Sequence, residues 1–208
     1  METIEWPPNH RIRLHPVVRG LESEKTPVRK AVEDSDLGII ALSISKEELD
    51  ALMRYDGGEA LPSNYEEDVY MENLARFGEV KKPPPCFVEA RDLALERGLR
   101  VEPLDLNNVD FTEAYVNNVS TFEMMSLSLN EKKLRRRRFK ATTPEEFVLE
   151  FDAAVNAKEG FKRLEKAREA HMALRLSQLG GESLATLALV ELERVSGVKR
   201  AFARYLPM

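Results

Sequence analysis

A chain of 208 residues, 43% hydrophobic and 32% charged, has material for a sizeable core beneath a well-solvated surface. Its 36 acidic residues against 31 Lys and Arg leave a net charge of -5, which disfavours a dedicated nucleic-acid binder because phosphate backbones reward basic surfaces. A single cysteine, Cys86, excludes an internal disulfide and a cysteine-based zinc or iron–sulfur site; no stretch approaches a membrane span, and METIEWPPNHRIRL at the N-terminus holds no signal-type apolar run, so a reducing, cytoplasmic setting is expected.

Residues 11–19 (RIRLHPVVR) partly alternate and predict a strand, with Pro16 pointing to an edge position. Thr26-Pro27 reads as a cap followed by proline at the first helical position, opening a short helix to about Glu33. The apolar run over residues 37–42 (LGIIAL) has the length and continuity of a strand covered on both faces. Ser45 and Glu48 form a capping box, so a helix begins at Lys46 and ends near Asp56-Gly57-Gly58. Ser63 and Glu66 make a second candidate box, ahead of Tyr70, Leu74 and Phe77 and a stop at Gly78. Pro83-Pro84-Pro85 is a stiff connector into a helix with Phe87, Ala90 and Ala94, closed by Gly98; residues 99–106 follow as a strand.

Asp110 and Glu113 are positioned to cap a helix placing Tyr115, Val119, Phe122, Met125 and Leu129 on one face. Thr143-Pro144-Glu145-Glu146 combines a cap, a first-position proline and the box glutamate. Phe161, Leu164, Met172, Leu176 and Leu179 mark another helix, stopped by Gly180-Gly181; residues 184–192 (LATLALVEL) read as a second doubly covered strand, and residues 198–206 as a last helix. The expected fold is therefore a helix-rich α/β single domain over residues 1–208, with a mainly parallel or mixed central sheet flanked by helices.

Residues 131–140 hold seven basic groups and one Glu. Lys132, Lys133, Arg135, Arg136, Arg137 and Arg138 are candidates for nucleic-acid contact, with Phe139 available for stacking; the plainer reading is a helix end whose cations complement the macrodipole. Asp105–Asp110 opens like a calcium loop, but Asp110 stands where glycine is required and Val116 where the bidentate glutamate belongs, so a strand-to-helix turn is expected. Glu66, Glu67 and Asp68 suit the first turn of a helix. His10, His15 and His171 are scattered, with no H-E-x-x-H, G-x-S-x-G or phosphate-binding glycine loop, and no metal or cofactor site is expected. Arg168 falls on the apolar face of its helix, where a guanidinium needs either an internal carboxylate or a pocket.

In order, a strand, the short helix with Val28-Arg29-Lys30-Ala31, the run Ile39-Ile40-Ala41-Leu42 and the helix with Glu47-Glu48-Leu49 are similar to the opening of TraB/Tiki-like proteins. ARDLALERGLRVEPLD over residues 90–105 and AREAHMA over residues 167–173 resemble later units of that superfamily, and Leu189 to Val198 lie where it ends on a strand and a G-x-x-H motif. The resemblance implies a hydrolytic site of two G-x-x-H motifs and a glutamate after the second strand, around a metal-activated water. No G-x-x-H occurs in this chain: the first would fall near Arg19 to Glu22, Ser43 replaces the glutamate and Arg194 the second histidine, while Arg168 matches. The resemblance thus implies a divergent, non-catalytic member that has lost its metal ligands. Ser43, Arg168 and Arg194 are expected around one crevice that takes a small anionic ligand or a protein partner, or whose two guanidiniums are neutralised internally by groups such as Asp105 or Glu191. Two other readings stand beside it: a nucleic-acid-associated protein using residues 132–140, and a hydrolase with rearranged carboxylate and arginine chemistry.

Overall fold

The computed structural model describes residues 2–6, 10–33, 36–58, 64–125, 133–182 and 184–205. Strands β1 (Glu2–Trp6), β2 (His10–Val17), β3 (Ile39–Leu42), β4 (Arg100–Pro103) and β5 (Thr186–Glu191) form one sheet in the order β1-β2-β5-β3-β4. β1 runs antiparallel to β2, and the other four strands are parallel. β2 is not an edge strand. Pro16 is nonetheless tolerated, because the β1 register ends at Leu14 and only β5 flanks the chain at position 16.

Every residue of β3 and β5 is buried, as their continuous apolar runs require. The pleat sends alternate side chains to opposite layers. Ile40, Leu42, Leu187 and Leu189 meet α1 (Lys25–Glu33), α2 (Lys46–Arg54) and α4 (Pro85–Arg97) through Val28, Leu49, Leu52, Phe87 and Ala90. Ile39, Ala41, Ala188 and Val190 instead meet α8 (Glu159–Gly180) and α9 (Leu192–Phe202) through Met172, Leu176, Val198 and Phe202.

A third layer covers the carboxyl ends of the strands. There α3 (Tyr65–Leu74) and α7 (Pro144–Val155) pack an aromatic cluster of Tyr70, Phe139, Phe147 and Phe151 against Val18 and Leu21 after β2. Beside it α5 (Asn108–Asn118) and the short α6 (Thr121–Met125) lean on α8 through Val119, Phe161 and Leu164.

Local chemistry accounts for several helix ends. Ser45 accepts the Glu48 amide at 3.1 Å while Glu48 accepts the Ser45 amide at 2.8 Å, the reciprocal box that starts α2. Thr143 accepts the Glu146 amide ahead of Pro144 in α7. Gly98 ends α4 at φ 64°, a left-handed conformation that glycine adopts without a Cβ penalty. Replacing Ser45 with Ala is expected to cost about 1 kcal/mol in urea denaturation, because it orphans an amide on the helix that carries buried Leu49 and Leu52.

Other ends depart from expectation. Asn64, not Ser63, caps α3 by accepting the Glu67 amide; Ser63 lies outside the described residues. Asn107, not Asp110, caps α5, its side-chain oxygen accepting the amides of Val109 and Asp110 at 3.0 and 2.9 Å. α5 ends at Asn118 because Val119 turns extended, so α6 starts a new register and leaves Phe122 80% and Met125 78% exposed; Leu129 lies outside the described residues. The last helix starts at Leu192 rather than 198. β5 loses its partner strands there, and Val195, Val198 and Phe202 bury a helical face instead. No described helix is long and apolar enough to cross a membrane.

Candidate functional site

The carboxyl ends of the parallel strands each deliver charged or polar side chains to one region, the place where α/β sheets form ligand crevices. Arg19 follows β2, Ser43 follows β3, Asp105 follows β4, and Glu191, Glu193 and Arg194 span the junction of β5 with α9. α8 adds Glu165, Arg168 and Glu169, and α7 adds Asp152. Above them opens a cleft of about 830 Å³, walled by α3 and α7 on one part and by α5 and α8 on the other.

The guanidiniums at its base are all paired. Arg168 binds Asp105 through Nε at 3.0 Å and through Nη2, and its Nη1 meets Glu165 Oε2 at 3.0 Å. Arg194 Nη1 lies 2.8 Å from that same Glu165 oxygen, and its Nη2 pairs with Asp152. Arg19 Nε sits 3.3 Å from Glu191, its guanidinium stacked 5.7 Å from the Tyr70 ring centre, while the Tyr70 hydroxyl donates to the Arg19 carbonyl at 2.9 Å. Burial works against the Arg168 charge, but Asp105 and Glu165 outweigh it and raise its pKa. These arginines are held by internal carboxylates, and the basis for an anion seat on Arg168 and Arg194 is gone.

Of the expected trio, the structure brings Arg168 and Arg194 together through Glu165 and leaves Ser43 beneath them. Ser43 is 2% exposed and does not line the cleft. Its amide donates to the Leu189 carbonyl at 3.0 Å and its hydroxyl accepts the Glu191 amide at 3.2 Å, so it ties the end of β3 to the end of β5. Asp105 belongs to a turn rather than a calcium loop: besides Arg168 it accepts the amide of Leu106 at 2.8 Å.

Asp152, Glu165 and Glu193 are the carboxylates of the site that local sequence patterns did not single out. Burial raises the pKa of Glu165 and Glu191, and burial together with the neighbouring Glu191 carboxylate pushes Glu193 up to about 8. Glu193 lines the cleft, and among the described residues no Lys or Arg forms an ion pair with it. One signal was available in E-L-E-R, three charges in four positions directly after the apolar run of β5.

The Glu193 shift has a definite consequence for stability. Its folded pKa lies above the ordinary 4.5, so the contribution is fully present below about 4.5 and is lost as pH rises through about 8. Glu193→Gln is therefore expected to melt close to the parent at low pH and above it at alkaline pH. The gap should reach on the order of 2–4 kcal/mol. Parallel melting curves across the whole range would contradict this assignment.

The basic run is divided. Lys133, Arg135, Arg136, Arg137 and Arg138 are exposed on and after a single helical turn over residues 133–136; Lys132 lies outside the described residues. Phe139, expected as a stacking platform, is 6% exposed and packs edge-on to Phe147 at 5.2 Å. Glu150 accepts the amides of Lys140 and Ala141 and pairs with Arg137 at 3.6 Å, pinning the segment to α7. Burying Phe139 in the aromatic core outweighs presenting it to a base.

The metal centre implied by the TraB/Tiki-like resemblance does not fit these residues. Where its second histidine would stand, Arg194 carries a positive charge into a ring of carboxylates. Among the described residues no group of three or more His, Cys, Asp or Glu is arranged to hold a metal ion. Compared with known family models and with characterised proteins, the chain matches none.

Proposed function

We propose that this protein is a divergent TraB/Tiki-like domain without the superfamily's metal chemistry, and that it binds a small organic molecule in the crevice at the carboxyl ends of its strands. The observation that carries the reading is the cleft of about 830 Å³, whose size suits a small-ligand site and whose base is a network of paired charges delivered by three of the four parallel strands, β2, β4 and β5, and by α8. A prearranged polar base beneath apolar walls is the usual composition of such sites.

The test is a thermal-shift and ligand-observed NMR screen against a chemically varied small-molecule set, repeated on Ala154→Trp. Ala154 lines the cleft on α7, and an indole there fills it from the wall. Compounds that raise the melting temperature of the parent and lose binding in Ala154→Trp support the reading; an absence of binders, or binders indifferent to the tryptophan, overturns it. Elemental analysis finding about one zinc, manganese or iron per chain after purification without added metal would remove the metal-free part of the proposal.

The exposed basic run is expected to give only weak, sequence-independent nucleic-acid binding that falls steeply with salt. Neutralising Arg135, Arg136 and Arg138 together should abolish it without changing small-molecule binding. Tight binding at physiological salt would instead place the nucleic-acid reading first.

A further inference from the structure

The crevice joins two kinds of surface. One is aromatic. Phe111 and Tyr115 of α5 and Phe161 of α8 form a ladder, with ring centres 6.2 Å apart at each step. From the other side Tyr65 and Tyr70 of α3 and Phe151 of α7 face the same space, Tyr70 and Phe151 packed edge-on at 5.2 Å. The second surface is the base, where five carboxylates (Asp105, Asp152, Glu165, Glu191 and Glu193) meet three guanidiniums (Arg19, Arg168 and Arg194).

At the base itself carboxylates outnumber guanidiniums, and the guanidiniums are already engaged. Lys133, Arg137 and Lys158 also line the cleft, but Lys133 and Arg137 are exposed and Arg137 pairs with Glu150. Charges in water interact several-fold more weakly than charges at a partly dry base, so the base sets the sign of the field inside. Aromatic faces add attraction for a cation and none for an anion. The site already uses that attraction once, where the Arg19 guanidinium lies over Tyr70.

We propose that the crevice binds a small organic ammonium compound, its apolar body between the aromatic walls and its cationic head against Glu193 at the base. The proposal rests on reading the crevice as a ligand site. Glu193 lines the same cleft as Glu191 from β5, Arg19 after β2, Arg168 from α8 and Tyr70 from α3, whose charges and dipoles act on it. With its carboxyl pushed up to about 8, an arriving cation displaces a proton, and affinity rises as pH climbs through that value.

The experiment uses four probes of one shape: benzyltrimethylammonium, 2-phenylethylammonium, 2-phenylethanol and 3-phenylpropionate. Each is titrated by calorimetry into the full chain at low salt and neutral pH, in two buffers of different ionisation enthalpy. The ammonium probes should bind about tenfold more tightly than the alcohol, with the carboxylate weakest and proton release seen for the ammonium probes alone. Glu193→Gln should lose that tenfold preference while keeping the affinity for the alcohol, which shows that the pocket still folds. Tyr115→Leu should weaken benzyltrimethylammonium more than the alcohol. Equal affinity for ammonium and alcohol, or tighter binding of the carboxylate, overturns the cation assignment and leaves the ligand site standing. If none of the four binds, the cation assignment falls; if the broader screen also finds no binder, the ligand site falls with it.

Discussion

Replacing Arg194 with Ala is expected to destabilise the protein by about 3–5 kcal/mol, among the largest effects of any single substitution at the crevice. The Arg194 side chain is 6% exposed and holds Asp152 and Glu165, with Glu169 at 3.7 Å. Removing it leaves these carboxylates facing one another with little water to solvate them, and the cost is that of uncompensated buried charge rather than of lost packing. The second arm of the test follows from that distinction. Adding Glu165→Gln to Arg194→Ala should recover part of the loss, whereas Glu165→Gln in the parent should destabilise, because Glu165 also holds Arg168. Urea denaturation of the four proteins measures the coupling. A loss below about 1 kcal/mol for Arg194→Ala would mean that the network relaxes into water and is not a rigid base.

Phe147→Ala is the other large expected effect, also about 3–5 kcal/mol. Phe147 is fully buried, and its ring lies 5.2 Å from Phe139, 5.6 Å from Tyr70, 5.7 Å from Phe151 and 6.1 Å from Phe77. It is the centre on which α3, α7 and the end of the basic run close over the sheet. Truncating it opens a cavity that rigid neighbours fill only in part. Tyr70 and Phe151 are walls of the crevice, so the same substitution should also loosen ligand binding. Phe147→Leu keeps most of the volume and should cost no more than about 1.5 kcal/mol. Chemical denaturation ranks the two, and equal losses would argue that the ring contacts, not the volume, hold this layer.

How far the sequence could be read follows from how local each signal is. The Ser45–Glu48 box and Thr143-Pro144 were legible because cap and amide lie within one turn of each other. The two doubly covered strands were legible because unbroken apolar runs of that length have few other uses. Asn64 and Asn107 were harder, since several neighbouring polar residues can cap and the incoming chain direction selects among them. Phe139 reversed expectation because it packs into the aromatic core with Phe147 and Phe151, and Phe122 and Met125 because the chain turns extended at Val119 and α6 starts in a new register. Arg168 could be seen to need a pocket or a carboxylate such as Asp105 or Glu191, and the structure selects Asp105, 63 positions away, together with Glu165.

From its sequence alone this chain determines where its four parallel strands and most of its helices form, that Cys86 has no partner for a disulfide, and that no G-x-x-H motif is present, while the antiparallel strand β1 went unread. Those properties follow from periodicity, capping and residue identity, whose free energies are settled within a few residues of chain. Only the tertiary structure decides that Arg19, Asp105, Glu165, Arg168, Glu193 and Arg194 share one crevice, and that its arginines are neutralised while Glu193 has no ion-pair partner among the described residues. The parallel order β2-β5-β3-β4 brings their carboxyl ends side by side, so residues far apart in sequence meet. At that distance from water the effect of each charge is set by its neighbours across the sheet, and no local pattern in the chain encodes who those neighbours are.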